Sequence, residues 1–176
     1  MQQEASTLLL FGAKGNLARV KLFPGLFKLD LAGKLHPDMK IVSIGRQEES
    51  HEEWLINLKS IIRAKYDKDL NQTVLDRFLK RNIYHANLQD DPDAFTKLSD
   101  RLIHEGLSQN LAFFLSVRPS GFALIVDQLA EANLLDESNH WKRVLIEKPF
   151  GVNTETAQAL QESISKHLKD SQIYRI

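Results

Sequence analysis

Seven residues near the start of the chain, Gly12-Ala13-Lys14-Gly15-Asn16-Leu17-Ala18, carry the spacing G-x-x-G-x-x-A. They follow the apolar run Thr7-Leu8-Leu9-Leu10-Phe11 and open a longer amphipathic stretch. A dinucleotide fold needs its glycine turn at that point. Without a Cβ the backbone can approach a pyrophosphate closely, and the helix N-terminus behind it offers free N–H groups and positive potential. The same residues also read as a tight strand-to-helix turn that holds no ligand. A P-loop is excluded, because no Gly-Lys-Ser/Thr follows at the required offset.

Two basic residues stand at the ends of later apolar runs. Arg46 follows Lys40-Ile41-Val42-Ser43-Ile44-Gly45. An acid there would hydrogen-bond the 2′-hydroxyl of NAD, whereas an arginine suits the 2′-phosphate of NADP. Arg46 lies 34 residues after Gly12, against about 20 in the simplest motif, so the match rests on strand position. A solvated arginine at a strand end is the other reading. Lys148 follows Arg143-Val144-Leu145-Ile146-Glu147. Ligands of open α/β sheets lie beyond the carboxyl ends of the strands, which places Lys148 in the same crevice. Pro149 restricts the Lys148 backbone and permits a cis bond. An ordinary exposed lysine before a turn is the alternative.

The remaining polar residues offer little chemistry. The histidines, at 36, 51, 85, 104, 140 and 167, include no pair with metal-ligand spacing, and His51-Glu52-Glu53 is not H-E-x-x-H. His85, near a strand end, is the best placed to act as a base, with a core or solvated histidine as the competing reading. Ser116 and Ser120 read as turn and cap residues, since no serine sits in a nucleophile elbow. No catalytic residue is assigned.

The elements that must position these groups are short apolar runs alternating with amphipathic stretches, the pattern of βα units on a parallel sheet. Strands are predicted over 7–11, 40–45, 82–86, 110–117 and 143–147, with a further one starting at Ile173. Asn16 is expected to cap the first helix, Pro24 to kink it and Gly33 to stop it. Trp54, Leu55, Leu58, Ile61 and Ile62 mark the second helix, and a third spans 73–80. Asp91 and Pro92 read as cap and first residue of a fourth, whose apolar face is Phe95, Leu98, Leu102 and Ile103. A helix follows Pro119 to about Ala132, and the last runs from Thr154 to Leu168. The result is a doubly wound, Rossmann-like α/β domain.

Composition agrees. A length of 176 residues suits one domain, and 23 basic residues balance 23 acidic ones. That neutrality gives no footprint for nucleic acid or a membrane surface. With no cysteine, disulfide scaffolds, thiolate zinc sites and cysteine nucleophiles are excluded. There is no signal-peptide pattern and no apolar run near the ~18 residues of a membrane span, so a cytoplasmic protein is expected.

Read together, several strings resemble the coenzyme-binding domain of the glucose-6-phosphate dehydrogenase family. They are Phe11 to Ala18 followed by Lys21-Leu22-Phe23-Pro24, Ile44-Gly45-Arg46, Phe114 to Pro119, Glu147-Lys148-Pro149-Phe150-Gly151 and Gln172-Ile173-Tyr174-Arg175-Ile176. The resemblance implies oxidation of glucose 6-phosphate to 6-phosphogluconolactone with NADP, in the pentose phosphate pathway. By the same resemblance, Gly12, Ala13, Lys14, Gly15, Asn16, Leu17, Ala18 and Arg19 cradle the coenzyme diphosphate. Arg46 takes the 2′-phosphate, and Lys148 touches coenzyme and substrate. The chain departs from the family where Lys14 and Asn16 replace the usual Ser and Asp, and at Arg118 and Phe122. The family's catalytic histidine and substrate-phosphate residues follow the matching region. Residues 1–171 are therefore expected to form the dinucleotide domain and 172–176 to lead into a second one. The lone chain is expected to be inactive, as a domain of a longer enzyme or a truncated product, with a nucleotide sensor as the alternative. An unpaired terminal strand would invite self-association.

Overall fold

The computed structural model describes residues 4–67, 70–88, 90–148 and 154–176. Six parallel strands form one sheet: β1 (Thr7–Phe11), β2 (Lys40–Gly45), β3 (Asn82–Ala86), β4 (Leu111–Leu115), β5 (Lys142–Ile146) and β6 (Ile173–Arg175). Their order is β3-β2-β1-β4-β5-β6. Strands are added outward on one side of β1 and then on the other, so the order reverses between β1 and β4. This is the doubly wound topology expected from the alternating pattern.

Six α-helices cover both faces: α1 (Phe23–Leu31), α2 (His51–Tyr66), α3 (Gln72–Lys80), α4 (Ala94–His104), α5 (Phe122–Glu131) and α6 (Thr154–Ser165). Every residue of β1 is buried, which is why that run lacks polar alternation. Leu8 and Leu10 pack with Phe23, Phe27, Trp54, Leu58, Ile62, Leu75 and Phe78 from α1, α2 and α3. Leu9 and Phe11 face the other way, onto Phe95, Leu98, Leu102, Phe122, Val126, Leu129 and Ile164 from α4, α5 and α6.

Local details correct the sequence reading. Helical structure begins at Asn16, and its first hydrogen bond runs from the Arg19 N–H to the Gly15 carbonyl (3.1 Å). Gly15, not Asn16, is therefore the cap. The irregularity expected at Pro24 takes a specific form. A π-helical turn over Ala18–Leu22 precedes it, closed by the Phe23 N–H donating to the Ala18 carbonyl. That wider turn accommodates a residue with no N–H and a ring that would crowd the carbonyl four residues back.

Asp91 and Pro92 lie in a turn before α4, with Asp93 at the cap position; the Asp91 carboxylate accepts from the Asp93 N–H (3.1 Å). Ile103, assigned to the buried face, is 63% exposed. Strands β4 and β5 are shorter or shifted relative to expectation, and α6 ends at Ser165. The tail expected to lead into a second domain also belongs to this sheet, since Ile173 to Arg175 pairs with Val144 to Ile146 of β5.

Candidate functional site

Parallel registration brings the expected site residues to one edge. Ile44, Phe11, Leu115 and Ile146 lie side by side across β2, β1, β4 and β5. Just past that row stand Gly12, Arg46 and Lys148. With strands about 4.8 Å apart, the β2 and β5 positions are separated by roughly 14 Å across the point where strand order reverses. Arg118 leaves β4 on the same edge, at the cap of a short 3-10 turn. The side chains of Arg19, Arg46, Arg118 and Lys148 are exposed and have no hydrogen-bond or ion-pair partner among the described residues. The Lys148 backbone N–H donates to the Ile176 carbonyl (3.0 Å). Pro149, and with it the expected constraint on Lys148, lies outside the described residues.

The glycine turn fits against β4. Gly12 has φ +77°, and a Cβ there would lie 2.2 Å from the Ser116 carbonyl oxygen. Both the backbone angle and the close approach require glycine. A Cβ on Gly15 would lie 3.0 Å from the Gly12 carbonyl oxygen, to which the Gly15 N–H donates (2.8 Å). Ala13 is fully buried, and its N–H donates to the Ile44 carbonyl (3.1 Å). The first helical bond starts from Arg19, so the Asn16, Leu17 and Ala18 amides have no backbone acceptor among the described residues. These N–H groups, at a positive helix end behind a Cβ-free turn, suit the pyrophosphate of a dinucleotide. Ala18 is itself buried, so its contribution to a ligand is its N–H.

The loop after β2 is held by Tyr84, a residue the sequence reading did not single out. The Tyr84 hydroxyl donates to the Gln47 carbonyl (2.7 Å), next to Arg46. Burial, followed by the negative charge of Glu49, raises the Tyr84 phenol above its ordinary pKa, so it remains a donor. A Cβ on Gly45 would lie 2.2 Å from that hydroxyl oxygen. Gly45 thus makes room for the tyrosine, and the tyrosine fixes the carbonyl that follows Arg46. Trp54 of α2 packs beside the Tyr84 ring with centroids 5.3 Å apart. The α2 N-terminus is closed by a capping box: the Glu53 N–H donates to Ser50 Oγ, and the Ser50 N–H donates to Glu53 Oε2. The hydrogen bonds from Ser50 hold the Glu53 carboxyl below its ordinary pKa.

Lys14 does not extend over the glycine turn alone. Its Nζ lies 3.1 Å from Glu49 Oε2 and 5.6 Å from the Tyr84 ring centroid. The turn after β1 and the loop after β2 are therefore joined by a charged contact. Glu49 lies three residues past Arg46.

His85 is a core residue. It is 8% exposed, and its Nε2 is buried with no hydrogen-bond partner among the described residues. Burial, reinforced by the Arg101 guanidinium, lowers its pKa to about 4. It stays neutral at pH 7 and has little basicity to offer. Ser116 lies just past β4, and its N–H donates across to the Phe11 carbonyl of β1 (3.1 Å). No cluster of three or more metal-ligating side chains occurs among the described residues. No helix among them is long and apolar enough to cross a membrane.

The family model for "Glucose-6-phosphate dehydrogenase, NAD binding domain" matches residues 9–176. A chloroplastic glucose-6-phosphate 1-dehydrogenase of Arabidopsis thaliana is 35% identical, over 99% of this chain and 29% of its own length. The Chlamydia pneumoniae glucose-6-phosphate 1-dehydrogenase is 32% identical, over 96% of this chain and 35% of its own. The crystal structure of the Mycobacterium avium glucose-6-phosphate 1-dehydrogenase superposes with a TM-score of 0.86 at 28% identity, covering 99% of this chain and 36% of that one. A glucose-6-phosphate dehydrogenase in complex with its substrate glucose 6-phosphate gives a TM-score of 0.84 at 27% identity. The chain spans about a third of the length of these relatives.

Proposed function

Because the chain belongs to the glucose-6-phosphate dehydrogenase family through its NAD-binding domain, we propose that it holds NADP along the carboxyl edge of its sheet and serves the oxidation of glucose 6-phosphate to 6-phosphogluconolactone. The observation that carries the reading is the turn at Gly12, where a Cβ would meet the Ser116 oxygen at 2.2 Å. Beside it, three helix-end amides lack backbone acceptors. The nicotinamide, when bound, takes up the hydride removed from the sugar C1.

The residues here have binding and orienting roles. The segment Gly12 to Arg19 supports the diphosphate through its amides and the helix end. Arg46, exposed and unpaired among the described residues, takes the 2′-phosphate. Lys148, at the far side of the same edge, would contact both coenzyme and sugar. The histidine nearest this edge in the sequence reading, His85, is buried and neutral. The 176 residues are accordingly proposed to bind coenzyme without turning over glucose 6-phosphate.

Calorimetric titration with NADP and NAD tests the binding. A charge-assisted phosphate contact of ~1.5–3 kcal/mol makes Arg46→Ala lose roughly ten- to a hundredfold in NADP affinity, with NAD affinity held within a few fold. An unchanged NADP-over-NAD preference in that variant would exclude Arg46 from the role. Reduction of NADP when glucose 6-phosphate is added to these residues alone would overturn the binding-only proposal.

A further inference from the structure

Resting on the NADP reading above, we propose that Lys14 is a second specificity-determining cation for the 2′-phosphate, one that Glu49 holds in reserve. A 2′-phosphorylated adenosine would exchange the Lys14–Glu49 pair for a Lys14–phosphate contact. Lys14 and Arg46 follow different strands, β1 and β2, yet Lys14 reaches the loop that carries Arg46. Lys14 Nζ reaches Glu49 Oε2 at 3.1 Å, and Glu49 lies only three residues beyond Arg46. Tyr84 supports both: its ring lies 5.6 Å below Lys14 Nζ, and its hydroxyl binds the Gln47 carbonyl adjacent to Arg46. The lysine is thus directed toward the end of β2, the place where a dinucleotide fold reads the 2′ position.

The two partners differ in freedom. The Glu49 side chain is 10% exposed, and its other oxygen accepts from Asn57 Nδ2 of α2 at 3.0 Å. Lys14 is 33% exposed and hangs on a flexible four-carbon stem. When a phosphate dianion arrives, the lysine can swing and the carboxylate cannot. Leaving Glu49 behind carries a cost, because its Oε2 is buried and the Lys14 ammonium is its one polar partner among the described residues. Glu49 therefore competes with the phosphate for Lys14. An adenosine with a bare 2′-hydroxyl offers the lysine no comparable charge, so the pair persists and only the phosphorylated ligand gains.

The test compares adenosine 2′,5′-bisphosphate with 5′-AMP by calorimetry, on the full chain and on Glu49→Gln, Glu49→Gln with Lys14→Ser, and Arg46→Ala. Thermal unfolding checks that each variant is folded. Glu49→Gln is expected to bind the bisphosphate about three- to tenfold more tightly, with 5′-AMP within twofold. Adding Lys14→Ser in that background is expected to lower bisphosphate affinity by about tenfold and 5′-AMP affinity by much less. If Lys14→Ser has no effect once Glu49 is neutral, the lysine only masks the carboxylate, and the exchange is refuted. Equal losses for both nucleotides would refute it as well. If Arg46→Ala weakens the bisphosphate while the Lys14 and Glu49 variants do nothing, this inference fails and the NADP reading stands. If the unaltered chain does not prefer the bisphosphate to 5′-AMP, both fall.

Discussion

The two edges of the sheet use their charges in opposite ways. At the amino edge, Asp30, on the last turn of α1, is 2% exposed and sits between two arginines. Arg81 Nη2 donates to Asp30 Oδ1 at 3.0 Å, and its Nη1 donates to the His36 and Met39 carbonyls. Arg77 donates to the same carboxylate oxygen and to the Asp30 carbonyl. Lys142, at the start of β5, donates through Nζ to the Ser108 and Gln109 carbonyls, and burial lowers its pKa. Each of these cations is engaged in joining loops to the sheet. At the carboxyl edge, Arg46, Arg118 and Lys148 are exposed and have no partner among the described residues. The Lys14 pair with Glu49 is the intermediate case. A cation whose donors are consumed by buried carbonyls stabilises the fold, whereas one left in solvent beside orphan amides is available to an anion.

Removing Asp30 is the harshest way to break this contrast. Asp30→Ala leaves Arg81 buried without its counter-charge and is expected to cost about 3–5 kcal/mol of stability. Urea unfolding measures that loss. NADP affinity, extrapolated to the folded fraction, should stay unchanged, and a specific loss of affinity would show that the two edges are not separable.

Gly12→Ala should cost both stability and binding. The new Cβ meets backbone, not a flexible side chain, at a positive φ. The expected strain is about 2–3 kcal/mol, together with at least a tenfold loss in coenzyme affinity measured by titration. A variant that keeps wild-type affinity would show that the turn need not approach the ligand closely.

His85 sharpens the comparison, because it is a buried polar group near the carboxyl edge that nonetheless serves the core. Its folded pKa of about 4 lies below the ordinary 6.5. As pH falls from 6.5 toward 4 the unfolded chain takes up the proton first, so folding stability drops across that window. A loss of about 2 kcal/mol between pH 7 and 4.5 is expected from this group. The loss should disappear in His85→Phe, measured as denaturant midpoint against pH. An identical pH profile in that variant would mean that His85 is not kept neutral by the fold.

Where apolar pattern and glycine placement act locally, the sequence was sufficient. The strand at Thr7–Phe11, the turn at Gly12 and the positions of Arg46 and Lys148 past their strands were all legible, because a parallel sheet places successive strand ends on one edge. Helix boundaries were less so. Asn16 and Asp91 have good capping chemistry, but the Gly15 carbonyl and Asp93 hold the cap positions. Pro24 signalled a kink, and the chain accommodates it with a π-helical turn just before it.

What the residues by themselves determined is the order of the elements and the chemistry available at each strand end, since both follow from short-range periodicity and residue type. Only the folded chain decided which charges are free. Asp30 meets Arg81 across 51 positions, Lys14 meets Glu49 from a neighbouring strand, and Tyr84 reaches under Gly45 from β3. Such pairings are set by sheet register and by packing between distant segments, and no local spacing encodes them.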